Sequence, residues 1–306
     1  MKSISHIFVA TGMFAIVAMA PQPVAARSSD ADRIALLRDV IVLLEAKLAV
    51  LQQQIGVQAN DASYPLEPAL FRDDDSFLES IDAQIIARYR ITEQAIQTPA
   101  ASHQAYVDRL FELLPEEYHE YFVEFVVFET SDDWVDAFVE TMLPYRSQWR
   151  YGINETIFAD PISDPFQSEL LVHEFAHVFS MHEVFTATNQ PRTCHEFFTE
   201  SGCVSPDTMY GKFLSQFWSE EKLDTVLAIS ESRNRTRDIE RFYTRNQDSF
   251  VTAYAASQPA EDFAESFAHF VLYDDESFGV IADQKIQFFN RFSKSRALKS
   301  EILSDL

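Results

Sequence analysis

The feature that most constrains this chain is one stretch, Ser163 to Ser180, which can satisfy its own polar residues only as a helix with a functional face. Ser163-Asp164-Pro165 supplies a capping hydroxyl or carboxylate, then a proline in the first turn, where its missing N–H costs nothing. The helix it opens carries His173-Glu174-Phe175-Ala176-His177. Residues four apart share a helical face, so both imidazoles can reach one ion. Glu174 sits about 100° round from His173, close enough to hold a water on that ion without becoming a ligand itself. Leu170, Leu171, Val178 and Phe179 give the helix a buried side. Two histidines and a glutamate in such a neighbourhood are costly unless a metal or a partner satisfies them. The pattern is that of a hydrolytic zinc site, with His173 and His177 as ligands and Glu174 as general base.

Such a site needs a third protein ligand. The position six residues after His177 holds Glu183, with Ser180 where a turn glycine would be required, so a ligand there is disfavoured. The better candidate lies downstream, where Ser257-Gln-Pro-Ala starts a helix bearing Glu261 and Glu265. Four apart on one face, one of the two can bind zinc while the other hydrogen-bonds a ligating histidine. Phe263, Phe267, Phe270 and Val271 on the same helix favour a buried face over a solvated acidic one. Tyr254, seven residues before Glu261, could donate its phenol to an oxyanion at the mouth of the site. His182, His195 and His269 read as supporting or surface groups rather than ligands.

Taken together, His173-Glu-Phe-Ala-His177 and Tyr254-(six residues)-Glu261-Asp-Phe-Ala-Glu265 resemble the gluzincin metallopeptidases, and within them the catalytic domain of anthrax lethal factor and related exported bacterial proteins. The resemblance spans about residues 120–292, including Lys285-Ile-Gln-Phe-Phe289. It implies that Glu261 is the third zinc ligand, Glu265 its acidic neighbour, and Tyr254 the hydroxyl that stabilises the oxyanion. Ala176 stands where relatives often carry glycine. The 84 positions from His177 to Glu261 exceed the spacing of compact gluzincins, which bears on substrate preference.

The rest of the chain frames this site. Lys2, the apolar run Ile7 to Ala20 and the small residues Val24-Ala25-Ala26 have the layout of a secretory signal peptide, residues 1–26. The expected location is therefore secreted or periplasmic. A net charge of −24 argues against nucleic acid or anionic lipid as partner, because phosphates are bound by clustered lysine and arginine. Cys194 and Cys203 are expected to form a disulfide in an exported protein. Over residues 28–56, Ile34, Leu37, Ile41, Leu44, Leu48, Leu51 and Ile55 follow a heptad stripe that must be buried, by self-association or against the chain. Residues 57–75 read as a linker and 76–306 as the catalytic domain.

Within that domain, helices are expected at 76–95 and 103–114 and a strand at Tyr121–Phe128. A further helix should open at Thr130 or Ser131 with Asp132 and Asp133 in its first turn, and a second strand should occupy 148–158. Beyond these the chain reads as helical, giving a predominantly α fold with a small β-sheet. Arg233, Arg235, Arg237, Arg241 and Arg245 read as a solvated helix face, with lining of an acidic-substrate cleft as the sharper alternative. The function these features favour is zinc-dependent hydrolysis of a peptide or protein substrate. Its rival is a non-catalytic binding protein that recruits a partner through the heptad helix, and a retained Glu174 speaks against that.

Overall fold

The computed structural model describes residues 75–131, 134–142, 148–186, 198–199, 202–230, 232–273 and 277–306. The signal peptide, the heptad helix and residues 57–74 of the linker lie outside the described residues, as do Cys194 and His195. What is described is mostly helical with one four-stranded sheet, as the sequence leads one to expect. Among the described residues no helix is long and apolar enough to cross a membrane.

A short helix α1 (Ser76–Ser80) is stopped by Asp82, whose φ of 50° lies in the left-handed region. Strand β1 (Gln84–Arg90) follows. The expected helix over 76–95 is therefore corrected. Ile85 and Ile86 suit a pleated surface, and antiparallel pairing with β2 (Phe122–Glu129) from Gln84↔Glu129 to Arg90↔Glu124 outweighs local helical propensity. Helix α2 (Ala101–Leu113) buries Tyr106, Val107, Leu110 and Phe111.

Among the described residues the helix expected after Ser131 is also absent. The chain instead forms β3 (Ala137–Thr141), antiparallel to β4 (Trp149–Asn154). The acidic residues that resemble a helix start precede a strand whose Phe138 and Val139 gain more from cross-strand packing. β4 ends sooner than expected because Asn154 accepts a hydrogen bond from the Thr156 amide and opens a 3₁₀ turn at Glu155–Ala159.

The sheet order is β1-β2-β4-β3, with β2 and β4 parallel and β3 at an edge. One face carries Phe125, Val127, Val139, Tyr151 and Ile153 into the main core. The other carries Val126, Phe128 and Phe138, covered by Leu78 of α1. On that second face Arg150, fully buried, is held by Glu124, by Glu140 at 2.7 Å and by Asp75 at 3.1 Å.

The main core is completed by α3 (Pro165–Thr186), α4 (Met209–Phe217), α5 (Glu220–Ser230), α6 (Arg235–Arg245), α7 (Pro259–Leu272), α8 (Val280–Phe288) and α9 (Ser293–Ser304). A two-residue ladder, β5 (Phe198–Thr199) with β6 (Gly202–Cys203), lies between α3 and α4 in the chain. α3 packs against α7 through aromatic pairs, with ring centroids 5.4 Å apart for Phe179 and Phe267 and 6.3 Å for Phe179 and Phe263. This seam brings the two motif-bearing helices together.

Candidate metal centre

The start of α3 follows its sequence signature: Asp164 Oδ1 accepts the Phe166 amide at 2.9 Å, and Pro165 takes the first turn. Two turns on, His173, Glu174 and His177 are fully buried. The start of α7 differs from expectation in one respect. Gln258 occupies the cap position without a side-chain capping bond. Its amide donates instead to Glu261 Oε1 at 2.8 Å, which leaves Oε2 turned toward the histidines.

Three donor atoms then converge. His173 Nε2 lies 3.1 Å from Glu261 Oε2 and 3.1 Å from His177 Nε2, and His177 Nε2 lies 3.3 Å from Glu261 Oε2. Nitrogen and oxygen ligands about 2.0–2.1 Å from a tetrahedral zinc are about 3.3–3.4 Å apart, so the triangle has the size such an ion requires. Among the described residues this is the group of His, Cys, Asp and Glu side chains that could hold a metal. His173 Nδ1 meets Glu265 Oε1 at 2.7 Å, and Thr252 donates to Glu265 Oε2 at 2.7 Å. With Glu265 accepting the Nδ1–H hydrogen bond in the neutral imidazole, Nε2 is left with its lone pair toward the other two donors. His177 Nδ1 has no hydrogen-bond partner among the described residues.

The electrostatics follow from burial and proximity. Burial would lower the proton affinity of His173, but hydrogen bonds with Glu261 and Glu265 reverse this and raise its pKa from 6.5 to about 10 without a metal. Burial lowers His177. Burial opposes ionisation of Glu261, yet the histidines beside it hold its carboxyl far below the usual carboxylate range. Without a metal, the group is thus a shared proton between two carboxylates and a histidine; a cation can replace that proton.

Glu174 differs. Burial pushes its carboxyl well above the usual range, the nearby charge of His173 and the backbone of Val139 on β3 offset only part of this, and neither oxygen meets a hydrogen-bond partner at bonding geometry among the described residues. Tyr254 is buried, its ring 5.9 Å from that of His173, and its hydroxyl interacts with Glu261. Burial, then the charges of Glu261 and Glu174, hold the phenol well above its ordinary range, so it remains an O–H donor.

The structure therefore brings together His173, Glu174, His177, Tyr254, Glu261 and Glu265. It leaves Cys194 undescribed, with the Cys203 backbone in β6. His269 Nδ1 lies 2.9 Å from the Glu265 carbonyl oxygen, and His182 stacks on Tyr121 at 4.4 Å. Arg233, Arg237, Arg241 and Arg245 face solvent, while Ile239 and Phe242 form the buried side of α6. Sequence reasoning missed a pair of buried phenols, Tyr106 and Tyr151, whose hydroxyls meet at 3.0 Å on the side of the core where both feel the charge of Glu174. Separated by 45 positions, they leave no local signal. Two surface cavities, of about 740 and 520 Å³, involve none of the site residues.

Comparison with known proteins gives little more. No family model matches the chain, and no curated protein does. One solved structure is similar: that of a "putative zinc-binding metallo-peptidase" from Bacteroides caccae, 16% identical, covering 65% of this chain and 71% of that one, with a TM-score of 0.34.

Proposed function

We propose that this protein is a zinc-dependent hydrolase, most specifically a metallopeptidase of the gluzincin type, exported from the cell in which it is made. The observation that carries the reading is the triangle of His173, His177 and Glu261 donor atoms, 3.1–3.3 Å on each side, beside a buried carboxylate that no ligand position uses. Zinc held there would supply Lewis acidity to a substrate carbonyl and would lower the pKa of a water toward 7. The chain's own groups do the rest. Glu174, held in a dry site that raises its proton affinity, accepts the proton of the attacking water and returns it to the leaving amine. Tyr254 donates its hydroxyl to the developing oxyanion, an effect worth up to about 3 kcal/mol. Glu265 keeps His173 in the tautomer that presents Nε2.

The edge strand supplies a place for a peptide. β3 is paired on one side by β4, and among the described residues its other side is not part of the sheet. An extended peptide added along that edge would run past Val139, whose backbone is near enough to influence the Glu174 carboxyl, and so would bring its carbonyls toward the site. The test is Glu174→Gln, which keeps size and removes the base. Turnover of a general peptide substrate pool, followed by mass spectrometry, should vanish while zinc content stays at the wild-type level. A Glu174→Gln protein with wild-type turnover would overturn the reading.

A further inference from the structure

Beside the metal-ligand triangle lies a second buried charge pair that the mechanism above does not use. Lys285 of α8 and Asp262 of α7 are both fully buried, with Nζ 2.6 Å from Oδ2. The same Oδ2 accepts the indole N–H of Trp218 at 2.7 Å. Lys285 also donates to the backbone carbonyl of Ser249, and its ammonium sits 4.0 Å from the centre of the Phe250 ring. One ammonium therefore ties together three pieces of chain: α8, the first turn of α7, and the segment from Ser249 that leads to Tyr254.

We propose that Lys285 is a positioning residue for the metal centre: through Asp262 it sets the rotation of α7, and hence the aim of Glu261, and through Ser249 it sets the approach of Tyr254. The inference rests on the metallohydrolase reading and deepens it. Asp262 is the immediate neighbour of Glu261, so the two side chains leave α7 about 100° apart. Fixing one against a buried cation fixes the other. A carboxylate oxygen stands roughly 6 Å from its helix axis, so a 10° rotation would move Glu261 Oε2 by about 1 Å. Displacement of that size from a productive geometry can cost about a hundredfold in rate. The Ser249 end works on the second element. From Ser249 the chain is pinned again where Thr252 donates to Glu265 and accepts the Ala255 amide at 2.9 Å, immediately after Tyr254.

Stability alone is a poor account of the pair. A buried ion pair loses much of its Coulombic gain to desolvation, and an apolar pair of similar volume is often as stable. Packing would be served as well by Met and Leu, given the aromatic wall of Phe217, Trp218 and Phe250 around the ammonium. What an apolar pair cannot do is hold the backbone carbonyl of Ser249 and the carboxylate of Asp262 at fixed distances from one atom.

The experiment compares the full-length protein with the double variant Lys285→Met/Asp262→Leu, using zinc affinity, the visible spectrum of the cobalt(II)-loaded protein and peptide turnover. Expected is a folded variant whose cobalt bands shift and lose intensity, whose zinc affinity falls about tenfold, and whose kcat falls about a hundredfold with KM near the wild-type value. Wild-type bands and affinity in a folded double variant would overturn the assignment. If the double variant does not fold, Asp262→Asn, which keeps the side-chain shape, carries the same test: its bands and affinity either shift in the same direction or the assignment fails. A wild-type protein that binds neither metal sinks the hydrolase reading itself. A metal-binding wild type with an unaltered variant sinks only the role of Lys285.

Discussion

Replacing Glu265 separates an oriented metal ligand from a histidine that merely sits nearby. His173 Nδ1 and Glu265 Oε1 are 2.7 Å apart and both residues are buried, so their hydrogen bond is charge-assisted and shielded from water. Loss of such a partner to a metal-ligating histidine typically costs about 10–100-fold in metal affinity, or roughly 1.4–2.7 kcal/mol. Glu265→Gln keeps an oxygen acceptor and should fall at the tenfold end. Glu265→Ala removes the acceptor for both His173 and Thr252 and should fall at the hundredfold end. A second effect has the opposite sign. Glu265 also raises the proton affinity of His173, so its removal lessens competition from protons at neutral pH. The deficit read by metal-buffered zinc competition should therefore be smaller at pH 7 than at pH 9. Wild-type affinity of Glu265→Ala at both values would refute the claim that Glu265 orients His173.

Two further outcomes follow from the same geometry. The metal-free protein should lose stability as pH rises from about 6.5 to about 10: His173 is raised from 6.5 to about 10 by folding, so its contribution is fully present below the unfolded value and gone above the folded one. Chemical denaturation across that range checks this, and calorimetry at pH 7 in buffers of different ionisation enthalpy should show net proton release on zinc binding. Gly152→Ala should destabilise by about 1–3 kcal/mol, a Tm drop of about 2–12 °C. Its Cβ would lie 2.1–2.6 Å from three atoms of the Phe138 ring, which Phe77 at 4.7 Å and Phe128 at 5.5 Å hold in place. An unchanged Tm would mean that β3 yields freely.

How much of this was legible in the sequence depends on how local each signal is. The two motif helices were, because their histidines, carboxylates and starts lie within single turns: Asp164 and Pro165 open α3 as read, and Glu261 and Glu265 share a face of α7. The strand at Phe122–Glu129 was readable from its run of valine and phenylalanine. β1 and β3 were not, because Gln84–Arg90 and Ala137–Thr141 gain their conformation from partners across the sheet, and acidic residues before β3 imitate a helix cap. Nor was the site's surrounding shell. Lys285 meets Asp262 from 23 positions away and Trp218 meets it from 44, and no periodicity marks such pairs. Thr252 could have been suspected only as one of many hydroxyls near Tyr254.

The central claim is that His173, His177 and Glu261 hold one metal ion. Elemental analysis of the purified wild-type, His173→Ala and Glu261→Ala proteins tests it most directly. The account predicts about one zinc per wild-type chain and a strong loss in both variants. No metal in the wild type under any loading condition, or full retention in Glu261→Ala, would contradict it.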